Sequence, residues 1–515
     1  MVVLIGEAVI AICLVDCYCQ EFFLTPITPQ ILSIILLSNS RESQEFVSTF
    51  INIHVLTHWR ILLEVLLAVA LPLSYLPFFQ RRVSIKYNEL CRRILIAFLA
   101  ICTAYEVPSA YRFIQLFRQS DDLQKMEGLI FRHYHEEIPT PLHRFLFAWY
   151  SLKQSSQQLS NIKHATLSAK IDSCTHLSPH IVLVIGESYN KHHSTLYGYQ
   201  LPTTPMQQKR LEDEELYVFR DVVAPWNITI NVFLNLFSMW EYGMSESIAT
   251  KPLFPILFRR TGYSVNFFSN QYFLKGFRKG ATNQAGHFFL ADAEMSDSLF
   301  TFRNRKGSKY DMDLVGQVSD FRNNTKQKEY TLDIIHLIGQ HFDYSLRYPK
   351  SEAMFSVNDY ANINISKDAK EIVMHYDNAT RFNDMVLDSI LCLYKNENAI
   401  VLFVADHGEE AYDDMKTHGR LFQEPTATQA KYEYEVPMWI WCSESYRISH
   451  PDIIQRIEQS LNKPFMTDGL PQILLYLAGI SSKWNEDDRN LLSPIYKCKT
   501  RIICGSTNYD NLIKQ

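Results

Sequence analysis

The sequence lacks several features that would narrow its function at once. It has no CxxC pair with zinc-binding spacing, no internal repeat and no low-complexity tract. Its formal net charge is only −5, which gives no electrostatic reason to expect nucleic-acid binding. No basic residue precedes the first apolar stretch, so the amino-terminal end is not a typical signal peptide.

The sequence does contain a strongly apolar amino-terminal part. The candidate membrane-spanning segments are Met1–Val15, Ile61–Phe79 and Ile94–Val107. A spanning helix needs roughly 20 mostly apolar residues, so the first and third segments are short for this role. The loop between the last two segments holds five basic residues, namely Arg81, Arg82, Lys86, Arg92 and Arg93. Because short basic loops stay in the cytoplasm, we expect the chain beyond residue 110 to lie on the outer side of the membrane.

The rest of the chain divides into two parts. Residues 111–175 are polar and compatible with amphipathic helices that follow a transmembrane domain in residues 1–110. In residues 176–515, apolar runs of strand length alternate with helical stretches. The predicted strands are Ile181–Ile185, Tyr217–Val223, Tyr263–Phe268, Thr331–Ile338, Ala399–Ala405 and Val436–Trp441, and the clearest helices are Asp377–Tyr394 and Asp468–Ala478. This alternation predicts an α/β fold with a mostly parallel sheet flanked by helices.

Polar clusters stand at the ends of the predicted strands. Glu187 follows the first strand, Asp406 and His407 follow the fifth, and Thr229 lies shortly after the second. Ligands of such folds collect at the carboxyl ends of the strands. Two carboxylates and an imidazole suit a zinc ion with one open position, and zinc would make a threonine hydroxyl nucleophilic near neutral pH.

Two further histidines could belong to the same site. His341 follows the fourth predicted strand, and His418 lies shortly after the Asp-His pair. They could bind a second metal ion or contact a phosphate group, and both roles stay open.

Several sequence blocks resemble those of a known family. They are Val184–Ser188 (VIGES), Leu196–Tyr199 (LYGY), Pro202–Pro205 (PTTP), Gly339–His341 (GQH), Ala405–Glu409 (ADHGE) and Thr417–Gly419 (THG). In this order they are similar to the bacterial phosphoethanolamine transferases of the sulfatase/alkaline-phosphatase superfamily. Each block alone is weak, but the ordered set covers nearly the whole chain and is specific.

The resemblance implies a set of site residues. It implies one zinc ion, with a second possible, on Glu187, Thr229, Asp406 and His407, with Thr229 as the nucleophile. It implies that His341 and His418 assist catalysis. The residues expected near the substrate headgroup are Asn270, Gln271 and Lys275.

The resemblance also implies a function and a location. Members of the family transfer phosphoethanolamine from phosphatidylethanolamine to a surface glycolipid, such as lipid A or the lipopolysaccharide core, through a phosphothreonine-type intermediate. We therefore expect a monomeric, multi-pass protein of the bacterial inner membrane with its catalytic domain in the periplasm. The family usually has five spanning helices, whereas about three are recognisable here.

Other functions stay open at this level. A glycerol-phosphate transferase or another phosphohydrolase of the superfamily would share the threonine and the metal. A membrane protein that binds lipid without turnover is the non-enzymatic alternative. A sulfatase activity is disfavoured, since no Cys/Ser-x-Pro-x-Arg motif lies near residue 229. Cys498 and Cys504 could form a local disulfide in an oxidising compartment or remain free thiols.

Overall fold

The computed structural model describes most of the chain beyond residue 140 and parts of the chain before it. The described residues are 2–23, 25–28, 31–32, 57–74, 140–272, 288–326, 328–421 and 424–514, with single residues elsewhere before residue 116. The chain forms two compact units, which are residues 1–155 with 421–424, and residues 156–420 with 425–515. The domain boundaries predicted after residues 110 and 175 stay predictions.

The first unit is helical. Its elements are α1 (Val2–Phe23), α2 (Trp59–Ser74) and the beginning of α3 (Pro141–Ser168). Helix α1 packs against α2. The buried side chains of Asp16 and Arg144 form an ion pair with an O–N distance of 2.7 Å, and Asp16 also accepts the backbone N–H of Ile27 at 2.9 Å.

The predicted membrane segments are only partly covered by these helices. Helix α1 covers Val2–Val15 of the predicted segment Met1–Val15 and extends beyond it, and α2 covers most of Ile61–Phe79. The basic loop at residues 81–93 and, apart from Ala97, the third segment lie outside the described residues. Within the part of the chain that is described, no helix combines the length and apolar character that crossing a bilayer requires.

The second unit is built on a seven-stranded sheet. Its strands are β1 (His180–Gly186), β2 (Leu216–Phe219), β3 (Ser264–Ser269), β4 (Phe302–Arg303), β5 (Thr331–His336), β6 (Ala399–Ala405) and β7 (Met438–Cys442). Their order across the sheet is β2-β7-β6-β1-β5-β3-β4. The central strands are nearly continuous runs of buried apolar side chains, as expected for strands covered on both faces.

The sheet is mixed rather than simply parallel. Five neighbouring strands pair in parallel, in the order β6, β1, β5, β3 and β4. Strand β7 is antiparallel to both of its neighbours, β2 and β6. Met438, the first residue of β7, pairs with Val404 near the carboxyl end of β6. The chain therefore enters β7 from the end of the sheet at which it leaves β6, so the two strands run in opposite directions.

The register of the central strands fixes where the site can form. Ile185 of β1 pairs with His336 of β5 and with Val404 of β6, and Gly186 pairs with Ala405. The three strands therefore end side by side, and the residues that follow them are brought to one edge of the sheet.

Helices cover the sheet and fill the rest of the second unit. They are α4 (Pro205–Glu212), α5 (Thr229–Phe237), α6 (Pro255–Arg260), α7 (Phe288–Ala291), α8 (Ala293–Leu299), α9 (Asp311–Asn324), α10 (Lys367–Tyr394), α11 (Ala427–Gln429), α12 (Glu444–Ser449), α13 (Pro451–Glu458), α14 (Leu470–Ala478) and α15 (Tyr509–Leu512). Among the described residues there are also short 3-10 turns, a π-helical turn at Ala430–Tyr434 and four two-stranded pairings.

The predicted elements of the second unit are close to those observed. The predicted helix Asp377–Tyr394 is the second half of α10, which begins ten residues earlier where the Ser366 side chain caps its amino end. The predicted strand Tyr217–Val223 is divided, because Val222–Val223 leaves the main sheet and pairs in parallel with Phe465–Met466. The cysteines that the structure describes, Cys498 and Cys504 among them, are all free thiols.

Candidate metal centre and nucleophile

The predicted carboxylates and imidazole meet at the carboxyl ends of β1 and β6. Glu187, Asp406 and His407 are each completely buried, and one ligand atom from each lies within 4.8 Å of the others. His407 Nε2 is 3.3 Å from Glu187 Oε1 and 3.3 Å from Asp406 Oδ2. They are the one group of three or more potential metal ligands among the described residues.

Thr229 reaches the same cluster from a different element. It is the first residue of α5 and is buried. Its Oγ1 lies 3.1 Å from Glu187 Oε2 and 3.2 Å from His407 Nε2. The unpaired N–H groups and the dipole at a helix amino end favour negative charge, so a phosphoryl group on Thr229 would lie in a favourable field.

The hydrogen bonds around the cluster direct lone pairs of its candidate ligand atoms toward the centre of the cluster. His407 Nδ1 lies 2.8 Å from the carbonyl oxygen of Gly408. This contact places the proton on Nδ1 and leaves the Nε2 lone pair facing the carboxylates. Asp406 Oδ1 accepts the backbone N–H of Ser188 at 3.1 Å and that of His407 at 2.7 Å.

The opposite oxygen of Asp406 has no such partner. Oδ2 is buried and accepts no hydrogen bond, although it lies 3.3 Å from His407 Nε2. Burial, followed by the neighbouring Glu187 carboxylate, raises the pKa of Asp406 to about 7. A buried carboxylate oxygen that lacks a donor and lies beside a second carboxylate and an imidazole is a suitable position for a cation, and this O- and N-donor set fits zinc.

Gln271, predicted to bind substrate, contacts the candidate metal ligand Glu187, and its role toward substrate stays a prediction. Its Nε2 donates to Glu187 Oε2 at 2.8 Å and to the carbonyl oxygen of Leu337 at 3.1 Å. The same nitrogen lies 3.3 Å from Nε2 of the buried His336, whose pKa burial lowers to about 3. The sequence analysis missed His336. The signal that could have found it is a histidine in an otherwise largely apolar strand, β5, which pairs with β1, the strand that leads to Glu187.

Asn270, the second residue predicted near the headgroup, is engaged within the protein. Its Nδ2 donates to Asp311 Oδ1 at 2.9 Å, and its Oδ1 accepts the backbone N–H of Ser308 at 2.5 Å. The buried Asp311 carboxylate also accepts the backbone N–H groups of Ile338 and Gly339 at 2.9 Å. Asn270 thereby supports the loop after β5. The third predicted residue, Lys275, lies outside the described residues.

The two predicted site histidines differ in their surroundings. His341 is buried, and its Nδ1 lies 2.9 Å from the carbonyl oxygen of Phe342. Burial is the main cause that lowers the pKa of His341 to about 4, against the charge of Glu187. His418 is partly buried and stacks on Tyr412 with ring centroids 5.4 Å apart.

Arg420 is a contact that the sequence analysis missed. Its Nη1 lies 2.8 Å from His407 Nε2, and its Nε is 3.3 Å from Glu409 Oε2. Glu409 is itself held by the hydroxyl of Tyr344, which donates to Oε1 at 2.7 Å. The site therefore contains the permanently charged guanidinium of Arg420, which its ion pair with Glu409 holds in place.

A buried charge network adjoins these loops. His193 Nδ1 lies 2.6 Å from Asp377 Oδ1, and Nε2 lies 3.0 Å from Asp413 Oδ1. Asn190 joins this network to the site loop, because its Nδ2 donates to Asp413 Oδ2 at 3.0 Å and to the carbonyl oxygen of Glu409 at 2.9 Å. Both ring nitrogens of His193 face carboxylates, which favours the imidazolium form.

An α/β sheet with carboxylates, an imidazole and a threonine hydroxyl gathered at its strand ends defines a phosphoryl- or sulfuryl-transfer type of site. The chain belongs to the sulfatase family, whose sequence profile matches residues 179–475. It is similar over 514 residues to the phosphoethanolamine transferase EptC of Escherichia coli (strain K12), at 25% identity covering 98% of this chain and 83% of the relative. The predicted resemblance is thus confirmed.

Other relatives and solved structures agree with this placement. The phosphoethanolamine transferase CptA of Salmonella typhimurium is 27% identical over 329 residues, covering 63% of this chain and 55% of the relative. The crystal structure of the carboxy-terminal periplasmic domain of Escherichia coli EptC in complex with Zn superposes with a TM-score of 0.57 at 26% identity, covering 67% of this chain and 96% of that one. The integral membrane protein EptA of Neisseria meningitidis shares the fold, with a TM-score of 0.65 at 20% identity over 95% of this chain and 86% of that one.

Proposed function

We propose that this protein is a zinc-dependent transferase that moves phosphoethanolamine from phosphatidylethanolamine to a surface glycolipid, with Thr229 as the nucleophile. One observation carries the proposal: the Thr229 hydroxyl lies within 3.3 Å of both Glu187 and His407 at the amino end of α5. The similarity to proteins named phosphoethanolamine transferases supports the choice of the transferred group.

Zinc would be held by Glu187, Asp406 and His407, with the oxygen of Thr229 at the remaining position. When bound, it would supply the positive charge that lowers the pKa of a hydroxyl. The Thr229 hydroxyl donates to Glu187 Oε2 at 3.1 Å, so its oxygen lone pairs are not used by this hydrogen bond.

The transfer takes two steps. The Thr229 hydroxyl gives up its proton as Oγ1 attacks phosphorus, a P–Oγ1 bond forms, and the bond between phosphorus and the diacylglycerol oxygen breaks as that oxygen takes up a proton. An acceptor hydroxyl then attacks the phosphothreonine and gives up its proton; the new bond joins its oxygen to phosphorus, the P–Oγ1 bond breaks, and Oγ1 regains a proton. His341 is neutral at pH 7 because burial lowers its pKa to about 4, so its ring can accept a hydrogen bond from the acceptor hydroxyl.

We infer the cellular location from the relatives and from the apolar amino-terminal part of the chain. Helix α2 carries exposed leucines and a valine, which are Leu62, Leu63, Leu66, Leu67, Val69 and Leu73. Exposed apolar surface of this extent is typical of contact with lipid. We place the chain in the bacterial inner membrane, with the catalytic unit in the periplasm and a glycolipid such as lipid A as acceptor, because relatives are known as a lipid A transferase, a periplasmic domain and an integral membrane protein.

The test is Thr229→Ala in the full chain, assayed with a fluorescent phosphatidylethanolamine. We expect no release of diacylglycerol, a small residual rate for Thr229→Ser, and unchanged zinc content in Thr229→Ser. Normal diacylglycerol release by Thr229→Ala would exclude the proposed nucleophile. Phosphatidylglycerol is assayed in parallel, and faster turnover of that lipid would instead favour a glycerol-phosphate transferase.

A further inference from the structure

Arg420 occupies an unexpected place for a guanidinium. It lies 2.8 Å from His407 Nε2, the nitrogen that faces Glu187 and Asp406. The Thr229 hydroxyl is 3.2 Å from the same nitrogen. Arg420 Nη1 and Thr229 Oγ1 can therefore be no more than 6.0 Å apart, the sum of these two distances. A phosphoryl group on Thr229 would lie within reach of this cation.

The guanidinium is held in place by its other side. Arg420 Nε lies 3.3 Å from Glu409 Oε2, and Tyr344 fixes the remaining oxygen of Glu409. Only 13% of the Arg420 side chain is exposed. Glu409 therefore holds the Nε side of the guanidinium, while Nη1 is directed toward His407.

The contact with His407 cannot coexist with a metal ion on Nε2, since an imidazole nitrogen has a single lone pair. A metal that takes this lone pair must displace the Arg420 N–H from it. The anchored guanidinium then has an N–H without a partner beside the nucleophile. Guanidinium groups bind phosphate oxygens with paired, charge-assisted hydrogen bonds.

We propose that Arg420 binds the phosphoryl group at Thr229 and that metal loading makes it available for this role. The same guanidinium N–H can donate either to His407 Nε2 or to a phosphoryl oxygen, and a metal on Nε2 would leave it to the phosphoryl oxygen. Arg420 would thus couple the presence of the metal to recognition of a tetrahedral phosphate. The inference rests on the proposed phosphoryl-transfer function, but it concerns anion binding and can be measured without any lipid substrate.

The test measures binding of inorganic phosphate to the full chain in detergent, with and without zinc, by isothermal titration calorimetry. The variants are Arg420→Met and Arg420→Lys, and the matched control is Arg305→Met, which removes an exposed arginine. With zinc bound, we expect phosphate to bind Arg420→Met about tenfold more weakly than wild type. Arg420→Lys should be intermediate, because a lysine offers a point charge without the planar fork.

A second readout separates this role from a structural one. Zinc affinity, measured by competition with a chromogenic chelator, should be equal or higher in Arg420→Met, since the competing N–H is gone. The metal-free forms of wild type and Arg420→Met should bind phosphate equally weakly. Equal phosphate affinity in the zinc-loaded forms, or loss of zinc from Arg420→Met, would overturn the inference. Normal turnover by Thr229→Ala would remove the proposed nucleophile but leave this anion-binding result standing, so the two failures are distinguishable.

Discussion

A β-carbon on Gly339 would lie only 2.7 Å from the backbone carbonyl oxygen of Glu187. Gly339 also has a φ of +45°, a conformation that side chains rarely adopt. The loop after β5 therefore touches the backbone of a candidate metal ligand at a point where only glycine fits.

Gly339→Ala should accordingly lower both stability and metal binding. Backbone strain and the clash together should reduce the free energy of unfolding by about 2 kcal/mol or more, and the shift of Glu187 should reduce zinc content. Gly316 is the matched control, because it lies within α9 with nothing within 4 Å of its added β-carbon. Gly316→Ala should be neutral or stabilising. Thermal unfolding measures the stability of both variants, and metal analysis measures their zinc content. Equal stability and equal zinc content in Gly339→Ala and Gly316→Ala would contradict the expectation.

Gln271→Leu should weaken zinc binding without removing a ligand. The variant deprives Glu187 Oε2 of a donor at 2.8 Å, and loss of a partner that orients a metal ligand costs about 10- to 100-fold in affinity. Chelator competition measures this directly. Gln459→Leu, at an exposed glutamine, controls for the change of residue type. If zinc affinity is unchanged but KM for the lipid rises, Gln271 contacts substrate as the sequence analysis predicted.

His193 should be protonated at pH 7, above the usual pKa of a histidine. Burial opposes the charge, but Asp413 and Asp377 raise the pKa of His193 well above its usual 6.5. Its contribution to stability is therefore complete below about pH 6.5, where the unfolded chain is also protonated, and is lost as the pH rises through the raised folded value. Nitrogen-15 NMR of labelled histidines, assigned with His193→Gln, should find both ring nitrogens protonated. His336, whose pKa is lowered to about 3, should give a neutral signature from pH 5 to 8. A neutral His193 at pH 7 would refute the charged network.

The buried ion pair between Asp16 and Arg144 should show energetic coupling, so that losing one partner costs more stability than losing both. Arg144→Met leaves the buried Asp16 carboxylate, at 1% exposure, without its cation, which typically costs about 3 kcal/mol or more. The double variant Asp16→Leu/Arg144→Met removes both charges and should recover much of this loss. Thermal unfolding in detergent compares the two. A double variant no more stable than Arg144→Met would mean that the pair does not act as proposed.

The sequence predicted the centre of the sheet and three of the site residues for one physical reason. Strands buried on both faces are continuous apolar runs, so β1 and β6 were recognisable with almost their true ends. Glu187, Asp406 and His407 break those runs at the strand ends, where side chains converge. The reversed direction of β7 was beyond such reasoning, since apolar runs carry no information on strand polarity.

The residues that were missed depend on long-range packing. His336 lies inside the predicted strand Thr331–Ile338, and only the folded structure brings it within 3.3 Å of Gln271. Arg420 lies in an irregular segment whose path is set by tertiary contacts. The headgroup role of Lys275 remains a prediction from resemblance alone.

The backbone N–H of Ser188 and the carboxylate of Asp406 that accepts it lie 218 positions apart in the chain. During synthesis, an elongating chain exposes Glu187 long before the segment that carries its partners exists. The candidate metal centre thus cannot assemble before Asp406 and His407 have been synthesised. A nascent chain that ends before these residues holds Glu187 without its partners, so it lacks the ligand set that could fix it in a misfolded, metal-bound form.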